Sequence, residues 1–81
     1  MTPQQVAELI RAGLADCKVS VRSDDNVHFE AVVIAGQFAG KRPLQRHQLV
    51  YATLGAAMGN EIHALALKAY TPDEHAAQRH G

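Results

Sequence analysis

A single cysteine stands among 81 residues, and tryptophan is absent altogether. One thiol cannot close an intramolecular disulfide or build an all-cysteine metal site within one chain. Neither sign of charge is in excess, since eight Lys and Arg face eight Asp and Glu and leave a formal net charge of zero with His neutral. That argues against a domain whose main task is coating DNA, which needs surplus cations. No run approaches the ~20 apolar residues of a membrane span, and residues 1–20 lack the basic start and apolar core of a secretory signal. A soluble, cytoplasmic protein is expected. The length fits one domain, residues 1–81, with no room for a second. A chain of this size buries only about 60% of its unfolded surface, which argues against a deep cleft around a small substrate.

What is present reads as alternating helical and extended segments. Thr2-Pro3-Gln4-Gln5 is a helix start, with Thr2 as N-cap, Pro3 in the first helical position and Gln5 closing a capping box. Val6, Leu9, Ile10, Gly13 and Leu14 form one stripe on a helix of about residues 3–15. From Cys17 the period changes to two, with Cys17, Val19 and Val21 alternating with Lys18, Ser20 and Arg22 as in a half-buried strand. Asp24-Asp25-Asn26 is a turn into a second strand from about Val27 to Ala35, so the pair makes an antiparallel hairpin. A turn around Phe38 leads to a helix expected from Pro43 to near Gly59-Asn60. Its expected apolar stripe holds Leu44, Val50, Tyr51, Leu54, Ala57 and Met58, with His47 in the same stripe. Ile62 to Ala69 is a third strand, and Thr71 and Glu74 repeat the capping device for a short last helix. The order α-β-β-α-β-α predicts an α+β, two-layer, KH-like domain whose helix crossover permits a parallel pair in a three-stranded mixed sheet.

Enzymatic arrangements find little support. Gly36 to Lys41 lacks the spacing of a phosphate loop, and no Asn or Asp stands out to complete a pair of Cys17 with a histidine. Gly55 and Gly59 read as sites of close packing within the second helix. Lys41, Arg42 and Arg46 give the start of that helix positive charge suited to phosphate. The GXXG loop with which a KH domain clamps a nucleic-acid backbone is missing, so a solvated surface or a protein-docking patch is the plainer reading.

The five histidines fall into separate classes. His75 and His80 belong to a solvated last helix at a spacing that does not share one face. His47 reads as a hydrogen-bonded boundary residue. His28 opens the second strand and His63 the third, both near a sheet edge. Parity places His63 with Leu65 and Leu67, toward the core, while its position at the strand's beginning lets the ring emerge.

Three blocks then carry a resemblance across nearly the whole chain. His28-Phe29-Glu30-Ala31-Val32-Val33-Ile34, Phe38-Ala39-Gly40-Lys41 and Arg46-His47-Gln48-Leu49-Val50-Tyr51 resemble the BolA-like family in order and spacing. Ile62-His63-Ala64-Leu65-Ala66-Leu67-Lys68-Ala69-Tyr70-Thr71 is similar to that family's closing strand, and the short termini look like its compact bacterial branch. One departure is His75, where the family usually has Trp. The resemblance implies a class II KH-type fold and a non-enzymatic adaptor that shares a [2Fe–2S] cluster with a monothiol glutaredoxin and glutathione. It implies a role in iron–sulfur trafficking or iron-responsive regulation, with no cofactor in the isolated chain. His63 is then the expected cluster ligand, and His28 is nearest the second ligand position, in the loop between the first two strands. His47 matches a family hallmark with no assigned ligand role. The family's older label implies the alternative, a DNA-binding transcriptional regulator using Lys41, Arg42 and Arg46. The oligomeric state, a homodimer included, stays open.

Overall fold

Thr2 starts the first helix as its sequence predicts. Its Oγ1 accepts the Gln5 N–H at 3.2 Å, while Gln5 Oε1 accepts the Thr2 N–H at 2.8 Å. Pro3 carries no N–H, so two of the three unpaired N–H groups at this helix start are thereby satisfied. A computed structural model describes residues 1–79, so the expectation for His80 lies outside the described residues. The elements are α1 (Pro3–Gly13), β1 (Lys18–Arg22), β2 (His28–Ile34), α2 (Pro43–Leu54), β3 (Ala64–Tyr70) and α3 (Pro72–Arg79). Short 3-10 turns occupy Gly36–Phe38 and Gly55–Ala57.

β2 is the central strand. It runs antiparallel to β1, from Arg22↔Glu30 to Lys18↔Ile34, and parallel to β3, from His28↔Ala64 to Ile34↔Tyr70. The mixed sheet follows from the connections: a short turn joins the antiparallel pair, and a helical crossover joins the parallel one. Along β2, Phe29, Ala31 and Val33 are buried while His28 and Glu30 are exposed, the alternation of a sheet covered on one face. Val6 and Ile10 of α1 and Val50 and Leu54 of α2 pack with Phe29, Val33, Phe38 and Ile62 into one core. Ser20, Arg22, Glu30, Ala66 and Lys68 remain exposed on the other face. The result is a two-layer α+β fold.

α2 stops earlier than its sequence suggests. Gly55 has φ +55°, a conformation that ends the helix after Leu54, and Gly59 has φ +88° in the next turn. Among the described residues, no atom beyond the chain neighbours lies within 4 Å of where a Cβ would stand at either position, so these glycines serve backbone conformation and not the close packing expected of them. Leu44 (69% exposed) and Tyr51 (38% exposed) also leave the expected stripe, of which Val50 and Leu54 stay buried in α2, with Ala57 and Met58 packed on the core beyond its end and Leu49, outside that stripe, half-buried against the core. His47 is half-buried, set edge-on to Tyr51 with ring centroids 6.2 Å apart. No hydrogen bond reaches its ring among the described residues, in contrast to the bonded histidine expected there. Cys17 precedes β1, half-buried against the core. His75 is half-buried rather than solvated, its ring 6.2 Å from that of Tyr70.

Candidate functional site

The hairpin turn between β1 and β2 is folded by side chains. Asp25 Oδ1 accepts the backbone N–H groups of Val27 at 3.0 Å and His28 at 2.9 Å. Ser23 Oγ accepts the Asn26 N–H at 2.9 Å and donates to the His28 carbonyl at 2.5 Å. Asn26 takes φ +60°, which asparagine tolerates better than most residues. Asp and Ser suit such turns because their short side chains bond nearby backbone groups. The remaining Asp25 oxygen, Oδ2, lies 2.7 Å from His28 Nδ1. The His28 backbone N–H, then the hydrogen bond with the His28 ring and the Val27 N–H, hold the Asp25 carboxyl far below the usual carboxylate range.

His63 reaches the same end of the sheet by a different route. Ile62 is fully buried and forms an isolated bridge with Met58, and its carbonyl accepts the Gly59 N–H at 2.8 Å. The chain bends at His63, whose N–H bonds the Val27 carbonyl at 2.8 Å, before β3 begins at Ala64. His63 and Ala64 are both exposed, so the bend interrupts the alternation that would have turned His63 inward. Because His28 pairs in register with Ala64, the two imidazoles meet at this end of the sheet. Their ring centroids are 6.4 Å apart with planes at 57°. Beside His28 lies an open hollow of about 480 Å³ lined in part by Arg22, Asp25, Glu30 and Ala66.

Two exposed imidazoles at this separation can serve as metal-ligand donors. No group of three or more His, Cys, Asp and Glu gathers around a metal position among the described residues. The donor set therefore suits a centre completed by another molecule better than one closed within the chain. Cys17, at the other end of β1, is remote from this end of the sheet in the register.

The three cations at the start of α2 do not act alike. Lys41 and Arg42 are exposed. The Arg46 side chain is 12% exposed, and its guanidinium is held by groups of the fold itself. It bonds Glu74 through Nη1 at 2.5 Å and Nη2 at 3.0 Å, the Lys41 carbonyl through Nε at 2.9 Å, and the Ala69 carbonyl through Nη1 at 3.2 Å. It also lies 5.9 Å from the centre of the Phe38 ring. Arg46 belongs to the expected phosphate-facing trio, but this geometry turns it inward. Asp25 and Glu74, which the sequence offered only as turn and cap residues, emerge as the partners of His28 and Arg46. The Asp25-x-x-His28 spacing was the available signal for the first, while the second pairing is tertiary.

Comparison with known proteins agrees with the architecture. Residues 11–74 match the family model described as BolA-like protein. A protein of Acinetobacter guillouiae, described as an uncharacterized protein in the rpoN-murA intergenic region, is 36% identical over 75 residues, covering 91% of this chain and 89% of its own. The DNA-binding transcriptional regulator BolA of Vibrio cholerae is 49% identical over 47 residues, covering 58% of this chain and 44% of its own. The matched segment thus spans less than two thirds of the length of several curated relatives. A BolA homologue structure from Coxiella burnetii superposes with a TM-score of 0.85 at 45% identity, covering 94% of this chain and 97% of that one. With the family model matched over residues 11–74 and a BolA homologue superposing over 94% of the chain, this protein belongs to the BolA-like family.

Proposed function

We propose that this protein is a cytoplasmic, non-enzymatic adaptor that binds a monothiol glutaredoxin and shares a [2Fe–2S] cluster with it. Its process is iron–sulfur cluster trafficking or iron-responsive regulation. The supporting observation is the pairing of His28 and His63, two exposed imidazoles 6.4 Å apart at one end of the sheet. Iron–sulfur centres accept histidine in place of cysteine. The donors here fit part of such a shell, with the partner's cysteine and glutathione supplying the thiolates. When bound, the cluster supplies a redox-active and transferable iron–sulfur unit, and this chain's part is to hold it by His63 and His28.

A DNA-binding role is the second reading, favoured by the name of the Vibrio relative and by the exposed Lys41 and Arg42. Zero net charge and the inward turn of Arg46 leave it little electrostatic footing. Mixing the protein with cluster-loaded monothiol glutaredoxin and glutathione separates the two. A visible spectrum particular to the mixture is expected, lost in His63→Ala, weakened in His28→Ala and nearly unchanged in Cys17→Ser. DNA should bind no tighter than about 10⁻⁶ M at physiological salt, with little sequence preference. Nanomolar, sequence-selective binding with no mixed spectrum would reverse the assignment.

A further inference from the structure

The side chain that folds the hairpin turn also sets the chemistry of one histidine. We infer that Asp25 is a positioning residue: it fixes His28 in the neutral tautomer whose Nε2 lone pair is free to ligate. This deepens the functional reading above and rests on His28 being a ligand. The argument begins with the division of labour between the two carboxylate oxygens. Oδ1 is engaged by the Val27 and His28 backbone N–H groups, which fix the carboxylate against the turn. Oδ2 is thereby presented to the ring, 2.7 Å from Nδ1.

An ionised carboxylate can only accept hydrogen bonds. The bridging hydrogen therefore sits on Nδ1, and in the neutral ring Nε2 carries the lone pair. The nitrogen a histidine offers to a metal is set by the bond its other nitrogen makes, and metal-ligating histidines commonly donate that other N–H to a carboxylate. Three bonds onto one aspartate build this orientation into the hairpin before any metal arrives. His63 has no ring hydrogen bond among the described residues, so the pair combines one pre-set imidazole with one free to adjust.

Asp25→Asn tests the idea with little change in shape. The amide oxygen keeps the two backbone N–H bonds, while the amide nitrogen places a donor where the ring met an acceptor. Long-range ¹H–¹⁵N correlation spectra of the labelled, isolated chain at about pH 8.5, well above the ordinary imidazole midpoint, report the tautomer directly. The native protein should show a protonated Nδ1 and an unprotonated Nε2 at His28. Asp25→Asn should move the proton to Nε2, and the neighbouring Asp24→Asn should leave the pattern as it was. A native His28 protonated at Nε2, or an Asp25→Asn variant with the native pattern, overturns the inference. If the variant fails to fold, the native spectrum alone decides.

Mixed with cluster-loaded glutaredoxin and glutathione, Asp25→Asn should retain the shared cluster about 10-fold less well or worse. Retention equal to the native protein's counts against a positioning role. A native protein that forms no mixed cluster overturns the functional reading instead, while the tautomer spectrum still judges the hold of Asp25 on the ring.

Discussion

Gly13 lies on the apolar stripe of α1, where its lack of a side chain matters more than any side chain would. A Cβ built there would stand 2.5 Å from Thr53 Cγ2 and 2.8 Å from Thr53 Cβ, so the two helices touch at this point. Thr53 cannot swing aside freely, because its Oγ1 donates to the Val50 carbonyl at 2.6 Å. Alanine gains at most about 1 kcal/mol in helix propensity, less at a helix end. Overpacking costs about 1–3 kcal/mol. Gly13→Ala should therefore lose about 1–2 kcal/mol in urea denaturation, and Thr53→Ala in the same chain should recover part of it. A Gly13→Ala variant more stable than the native protein would show that the helices are not in contact there. The sequence placed Gly13 on the correct face, but nothing local marks a glycine as a contact between helices. Gly55 illustrates the converse, since its positive φ depends on where the chain must go next and not on its neighbours in sequence.

One arginine of α2 ties α3 to the rest of the fold through Glu74. Arg46 joins the loop carbonyl of Lys41, the end of β3 at Ala69 and the Glu74 carboxylate in α3, while Glu74 also caps Thr71 by accepting its N–H at 2.9 Å. The Arg46 guanidinium, then the Thr71 N–H, pull the Glu74 carboxyl down from its usual 4.5 to about 2. A depressed carboxylate stabilises the fold fully above its unfolded value and loses that contribution as pH falls through the folded one. Between about pH 4.5 and about 2 this contribution disappears. Glu74→Gln should accordingly lower the melting temperature at pH 7 and give a flatter decline across that window than the native protein. Parallel pH profiles would mean that the pair does not hold α3. The caps of α1 and α3 were readable because Thr2–Gln5 and Thr71–Glu74 are separated by a single turn. The Arg46–Glu74 pair was not, because it spans 28 positions and forms only once the elements are assembled.

Across the molecule, the topology gathers what the sequence scatters. A parallel β2–β3 pair must start both strands at one end of the sheet, and so His28 and His63, one at the head of β2 and the other just before β3, become neighbours. Element order and the helix-covered face were readable from periodicity and capping. The direction of the His63 ring was not, because parity pointed inward and only the bend anchored by Ile62 turns it out. The most direct test of the shared-cluster assignment places ¹⁵N-labelled histidine in this chain alone and pairs it with unlabelled, cluster-loaded monothiol glutaredoxin. Pulsed electron paramagnetic resonance of the reduced complex should show ¹⁵N couplings between the cluster and this chain's imidazole, lost in His63→Ala. A cluster signal without coupling to the labelled chain, or one unchanged in His63→Ala, would contradict histidine ligation at this end of the sheet.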